Sequence, residues 1–156
     1  MFTILLALAA QSTSTKLPPA QALPPPTVDQ QAVLAPINAA FAAFETGDSA
    51  AMLRYVVPEG RVTAVGKAPD GSDRVRLQSF TEFAARLKPG EGFKERITDP
   101  AIEIDGNIAM VWAPFTVEVG GKLETCGTDH FDLIRQNGEW KIMNVTFSSR
   151  TTGCGK

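Results

Sequence analysis

A chain of 156 residues, 44% hydrophobic and 21% charged, has room for one domain with a substantial core. Its formal charge of -2, with both signs interspersed, excludes nucleic acid as the main partner. Past the N-terminus no stretch is long and apolar enough to span a bilayer, so no membrane span is expected in the mature chain.

The N-terminus has its own composition. Phe2 to Ala10 is apolar except for Thr3, and small polar residues follow. Residues 1–10 are therefore expected to be a secretory signal peptide, with Ala7-Leu8-Ala9 or Ala20-Gln21-Ala22 as cleavage site. No Lys or Arg precedes the apolar run, and a flexible tail is the plainer alternative. Residues 11–27, which include Pro18-Pro19 and Pro24-Pro25-Pro26, form a proline-rich, extended linker. Residues 28–156 make the single domain. Export implies a periplasmic or secreted location, where the two cysteines, Cys126 and Cys154, are expected to be bridged. If Asn137-Gly138 closes a two-residue hairpin, Cys126 faces about Ser149, and the tail must bend back at Gly153 or Gly155. Neither cysteine has the neighbours that a zinc site requires, so no metal is expected.

In chain order, Val33, Ile37, Ala40, Phe41 and Phe44 place a helix over Val28 to Phe44, capped by Thr27 or Asp29. Pro36 is expected to kink it or delay its start. Gly47 ends it, and Asp48 or Ser49 caps a second helix through Met52, Leu53 and Tyr55, which Pro58-Glu59-Gly60 stops. Arg61 to Val65 reads as a short strand and Ala68 to Asp73 as a loop. Ser79, with Glu82, caps a third helix over Phe80 to Leu87. The sheet then begins with Phe93 to Ile97 and Ala101 to Ile104. Long segments follow at Asn107 to Val119, Lys122 to Gln136 and Glu139 to Arg150, joined at Gly120-Gly121 and Asn137-Gly138. Strands of this length imply a strongly bent sheet. The fold class is α+β, with three N-terminal helices packed on a curved antiparallel sheet.

This plan resembles the nuclear transport factor 2-like superfamily, with its cystatin-like cone, and in particular its SnoaL-like and lumazine-binding-like bacterial members. The segments that carry the likeness are Asp105 to Phe115, Cys126 to Arg135, Trp140-Lys141-Ile142 and the ending Arg150 to Cys154. The resemblance covers about residues 28–154. It implies the fold, a cavity between helices and sheet, and a homodimer through the outer sheet face. It does not select one activity, because this fold hosts unrelated enzymes and binding domains.

Strand alternation assigns the faces. With both turns taken as two-residue hairpins, Trp112, Asp129 and Thr146 form one row. Met110, Phe131 and Asn144 form the next, and Ile108, Leu133 and Ile142 a third. All are expected toward the cavity. Ala109, Val111, Ala113, Phe115 and Val117, with His130, Val145 and Phe147, are expected on the outer, subunit-facing side. A bulge would exchange these assignments locally.

Asp129 is the candidate catalytic residue, since a carboxyl under an apolar roof has its pKa raised toward that of a useful general base. This resembles the carboxylates with which ketosteroid isomerase-like enzymes shuttle protons. The plainer role is to accept hydrogen bonds from Thr146, Asn144 or the Trp112 indole. Candidate ligand-binding residues are Trp112, Asn144, Thr146, Phe131, Met110 and Tyr55. One of Glu95 and Arg96 must point inward. His130 cannot form a dyad with its neighbour Asp129, because successive side chains face opposite ways. No nucleophilic triad and no glycine-rich phosphate loop is present, and no cofactor is expected. Three functions follow: an exported domain that binds a small apolar or aromatic molecule, a cofactor-free lyase or isomerase using Asp129, or a non-catalytic dimeric interaction module.

Overall fold

Thr27 starts the first helix with a reciprocal pair of hydrogen bonds: its hydroxyl accepts from the Gln30 amide at 3.3 Å, and its own amide donates to Gln30 Oε1 at 2.9 Å. The computed structural model describes residues 24–90 and 92–155, so the expected signal peptide and most of the linker lie outside the described residues. Helix α1 (Val28–Thr46) passes through Pro36 without waiting for it. Pro36 forgoes one backbone hydrogen bond but is buried against the core, and the box at Thr27 secures the first turn. Gly47, at φ 71°, closes the helix. Asp48 caps α2 (Ser49–Leu53), accepting from the Ala51 amide at 2.8 Å. Ser79 and Glu82 box the start of α3 (Phe80–Ala84), which is shorter than expected. Its continuation to Leu87 is tight turning, with Arg86 bonded to Phe83 and Leu87 to Ala84.

The strands are β1 (Val56–Lys67), β2 (Asp73–Ser79), β3 (Phe93–Ile97), β4 (Ala101–Asp105), β5 (Ile108–Val119), β6 (Lys122–Gln136) and β7 (Glu139–Arg150). They form one sheet ordered β2-β1-β7-β6-β5-β3, with β4 also on β5. All pairs are antiparallel except β1 with β7. The two expected hairpins close as two-residue turns, with Val119 opposite Lys122 and Gln136 opposite Glu139. Asn137 and Gly138 carry φ of 52° and 85° there.

Two departures from the sequence reading lie in the first half of the chain. Pro58-Glu59-Gly60 does not stop a helix but lies inside β1, where pairing with β7 shifts register between Val56 and Arg61. Proline and glycine both suit such an irregularity. A Cβ on Gly60 would collide with the Met143 carbonyl, so only glycine lets the strands approach here. The second departure is β2, which was not anticipated. It is an exposed edge strand without the buried face that makes a strand legible.

The helices cover one face of the sheet. Val33, Ile37 and Ala40 from α1 and Phe80 and Ala84 from α3 pack in one cluster with Val62, Val111, Phe131, Leu133, Ile142 and Val145. Burying a side chain of the Ile37 or Leu133 kind contributes roughly 1.5–3 kcal/mol. Cys126 and Cys154 are disulfide-bonded with Cα atoms 5.3 Å apart, and Gly153, at φ 69°, turns the tail back. Cys126 opposes Arg150 instead of Ser149 because the β6–β7 register shifts by one residue.

The bridge spans 28 residues, and closing a loop of that size should stabilise the fold by about 3–4 kcal/mol. Urea unfolding with and without dithiothreitol is expected to show that difference. An unchanged midpoint would mean the bridge does not constrain the unfolded chain.

Candidate functional site

Which side chains face the helices is decided by two unpaired residues. Between β5 and β6 the register shifts so that Glu118 opposes Leu123 but Val117 opposes Thr125, leaving Glu124 without a partner. Between β6 and β7, Leu133 opposes Ile142 but Asp132 opposes Asn144, leaving Met143 without one. Each extra residue reverses the phase of the alternation across the pair. Asp129 therefore lies between Ala113 and Phe147, and Phe131 between Val111 and Val145.

The expected face assignment is corrected accordingly. Ala109, Val111, Ala113, Phe115, Val117 and Val145, expected on the outside, are buried on the helix-covered face, with Phe147 packed against them. Trp112, Met110, Asn144 and Thr146 move to the outer face. Trp112 is 53% exposed, with its ring 5.9 Å from that of His130. Asn144 accepts from the Arg61 amide at 3.0 Å and approaches Asp132 at 3.4 Å. His130 Nε2 lies 3.6 Å from Asp132 Oδ1 on that outer face, away from Asp129. Tyr55 sits in the bend before β1, where its carbonyl accepts from the Ile142 amide at 3.0 Å. Its surroundings are Pro36, Arg54, Arg135 and Trp140, outside the space that holds Asp129. Of the sequence candidates, Asp129 and Phe131 alone share that space.

The space is a cavity of about 240 Å³ between the helices and the sheet. From the helical side Phe41, Phe44, Phe80 and Phe83 line it; from the sheet come Phe93, Phe115, Phe131 and Phe147. These are eight of the nine phenylalanines in the chain, the ninth being Phe2. The rings brace one another: Phe44 stacks on Phe83 at 5.3 Å and meets Phe93 edge-on at 4.1 Å, and Phe41 meets Phe131 at 6.1 Å. Polar lining comes from Glu95, Asp129, Thr125 and Ser149, and the exposed Ser149 places the mouth at that end.

Asp129 is 2% exposed, and its Oδ2 has no hydrogen-bond partner. None of Trp112, Asn144 or Thr146 reaches it, which removes the partners the sequence suggested. Burial pushes its pKa up to about 7. Glu95 stands opposite Val117 on β3 and faces the same cavity, while its neighbour Arg96 turns outward to Glu45 at 3.2 Å. Burial, and then the charge of Asp129, raise the Glu95 pKa well above the usual carboxylate value. Two acids buried in one apolar space resist ionising together, so the pair favours holding a proton. Such a pair can accept a hydrogen bond, donate one, or pass a proton to an occupant. Glu95 was legible only as half of an alternating pair; nothing local to it signals that it would share a cavity with Asp129. No group of His, Cys, Asp and Glu suited to a metal ion occurs among the described residues.

A family model described as "Putative lumazine-binding" matches residues 28–148. Among solved structures, the chain is similar to a nuclear transport factor 2-like protein of unknown function from Shewanella baltica, at 18% identity and a TM-score of 0.57, covering 80% of this chain and 98% of that one. A protein of unknown function with a cystatin-like fold from Nostoc punctiforme superposes at 10% identity and a TM-score of 0.63, over 81% and 95% of the two chains. A nuclear transport factor 2-like protein with a cystatin-like fold from Novosphingobium aromaticivorans gives 15% identity and a TM-score of 0.61, over 77% and 80%. At such identities the likeness shows the fold alone. No curated protein matches the sequence.

The raised pKa of Asp129 has a consequence for stability. Below about pH 4 both folded and unfolded chains hold the proton; above it the unfolded chain releases its proton first, while the folded chain keeps it to about pH 7. Stability should therefore fall as pH rises through that window and level off above it. Urea midpoints measured across the range are expected to show this slope, and Asp129→Asn to reduce it to the part that Glu95 contributes. A slope that Asp129→Asn leaves unchanged would show that the carboxyl is solvated.

Proposed function

The chain belongs to the family described as "Putative lumazine-binding", within the nuclear transport factor 2-like superfamily, and on that premise we propose that it is an exported small-molecule-binding domain. The observation that carries this reading is the cavity with an unpartnered carboxyl inside it. A buried acceptor without a partner is costly, and an occupant that donates to it removes that cost. The cavity is somewhat smaller than the roughly 300–1,000 Å³ of drug-sized sites, so the occupant is a small, mostly apolar or aromatic molecule. The Cys126–Cys154 bridge supports placement in an oxidising compartment.

Expressed with its leader, the chain is expected in the periplasm or medium, and native mass spectrometry of that material to show a bound small molecule or a shift with indole. Ala40 lines the cavity wall on α1. Ala40→Phe should abolish that binding at a stability cost below about 2 kcal/mol, since the new ring fills open space. No bound mass and no shift with indole would leave a filled cavity and an interaction module instead.

The carboxyl near neutrality favours a second reading, a lyase or isomerase in which Asp129 takes a proton from carbon and Glu95 returns one to the product. Given a turned-over substrate, Asp129→Asn should lower kcat by at least about 100-fold with the fold retained. Turnover unaffected by the substitution would exclude Asp129 as the base.

A further inference from the structure

Charge in the cavity wall has one sign. Among the described residues, Glu95 from β3 and Asp129 from β6 are its ionisable groups; α1, α2, α3, β1, β5 and β7 contribute no titratable side chain to the lining, and no described Lys, Arg or His is part of it. Phenylalanine is the commonest residue in the remainder, and the face of an aromatic ring carries negative potential. Asp129 is 2% exposed, with Oδ2 unpartnered. An anionic occupant would meet two acids and no counter-charge. A neutral hydrocarbon would fill the space but leave Oδ2 unsatisfied. A group that bears both N–H donors and positive charge satisfies the carboxylate, and the surrounding rings attract it as well.

We infer that the cavity selects a small protonated amine, its ammonium group on Asp129, in a wall that Glu95 makes more acidic, and its ring or alkyl body among the phenylalanines. This rests on the binding-domain reading above and names the ligand class of the same site. The pair carries one negative charge when it holds one proton, which a single ammonium neutralises. At lower pH the pair must release a further proton before it can bind the cation, so affinity rises with pH for as long as the amine itself stays protonated. Thr125 and Ser149 near the mouth carry hydroxyls and no charge, so they leave this selectivity to the acids.

Calorimetric titration with benzylamine, benzyl alcohol and benzoate tests the inference, because the three share a ring and differ in charge. At about pH 8 benzylamine should bind at least about tenfold more tightly than benzyl alcohol, with benzoate undetected, and the advantage should shrink toward about pH 5. Asp129→Asn should bring benzylamine down to the level that benzyl alcohol shows on the same variant, while circular dichroism and a cooperative urea transition report that the domain still folds. Equal affinity for alcohol and amine, or a preference for benzoate, would overturn the charge selectivity and leave the binding domain standing. If none of the three binds and indole does not bind either, both readings fall.

Discussion

Glu124 in β6 and Met143 in β7 stand without cross-strand partners, and the chemistry of the cavity depends on those two positions. A strand alternates its faces residue by residue, so one extra residue exchanges inside for outside across a whole pair. With both bulges present, small and branched residues such as Ala113, Val111 and Val145 flank Asp129 and Phe131 on the concave side. Without them, Trp112 and Thr146 would stand beside Asp129 and supply it with hydrogen bonds. The bulges therefore leave Asp129 unpartnered. Glycine permits the close approaches: Gly60 lies under the Met143 carbonyl, and Gly127 fits between Phe115 and the Ser148 carbonyl, where a Cβ would collide.

The second consequence is energetic. Left dry, a void of 240 Å³ at about 24 cal/mol per Å³ costs on the order of 5 kcal/mol. That is a large share of the roughly 5–15 kcal/mol by which domains are stable. A buried, raised-pKa acid adds a further cost at neutral pH. Stacked and edge-on phenylalanines hold the walls apart, and the disulfide at the end of the sheet offsets part of the expense. An occupant that fills the space and donates to Asp129 relieves both penalties at once. This is why the cavity carries the functional reading and the His130–Asp132 pair on the outer face does not.

Much of the scaffold was legible because its signals are local. Gly120-Gly121 and Asn137-Gly138 placed both hairpins; Ser79 caps the helix it was expected to open, and Thr27 and Asp48 do so in preference to the alternatives Asp29 and Ser49. The misreadings also have local causes. Pro58 and Gly60 look like a helix stop and are instead the irregular part of a long strand. Arg74 to Leu77 is exposed along β2 and shows no buried face to betray a strand. Pro36 lies in the middle of α1 because burial and a strong cap outweigh one lost hydrogen bond.

The sequence by itself determined the α+β class, the order of the meander and the singular position of Asp129, since these follow from turn residues, caps and periodicity within a few residues of each site. It also held eight phenylalanines destined for one cavity, though nothing local revealed their common destination. Only the tertiary structure decided that Trp112, Met110, Asn144 and Thr146 face outward, and that Glu95 from a separate strand lines the same cavity as Asp129. The physical reason is that periodicity is a property of one strand, whereas its phase is set by pairing with the next. A residue's neighbours across the sheet are fixed by register, and register here turns on two unpaired residues.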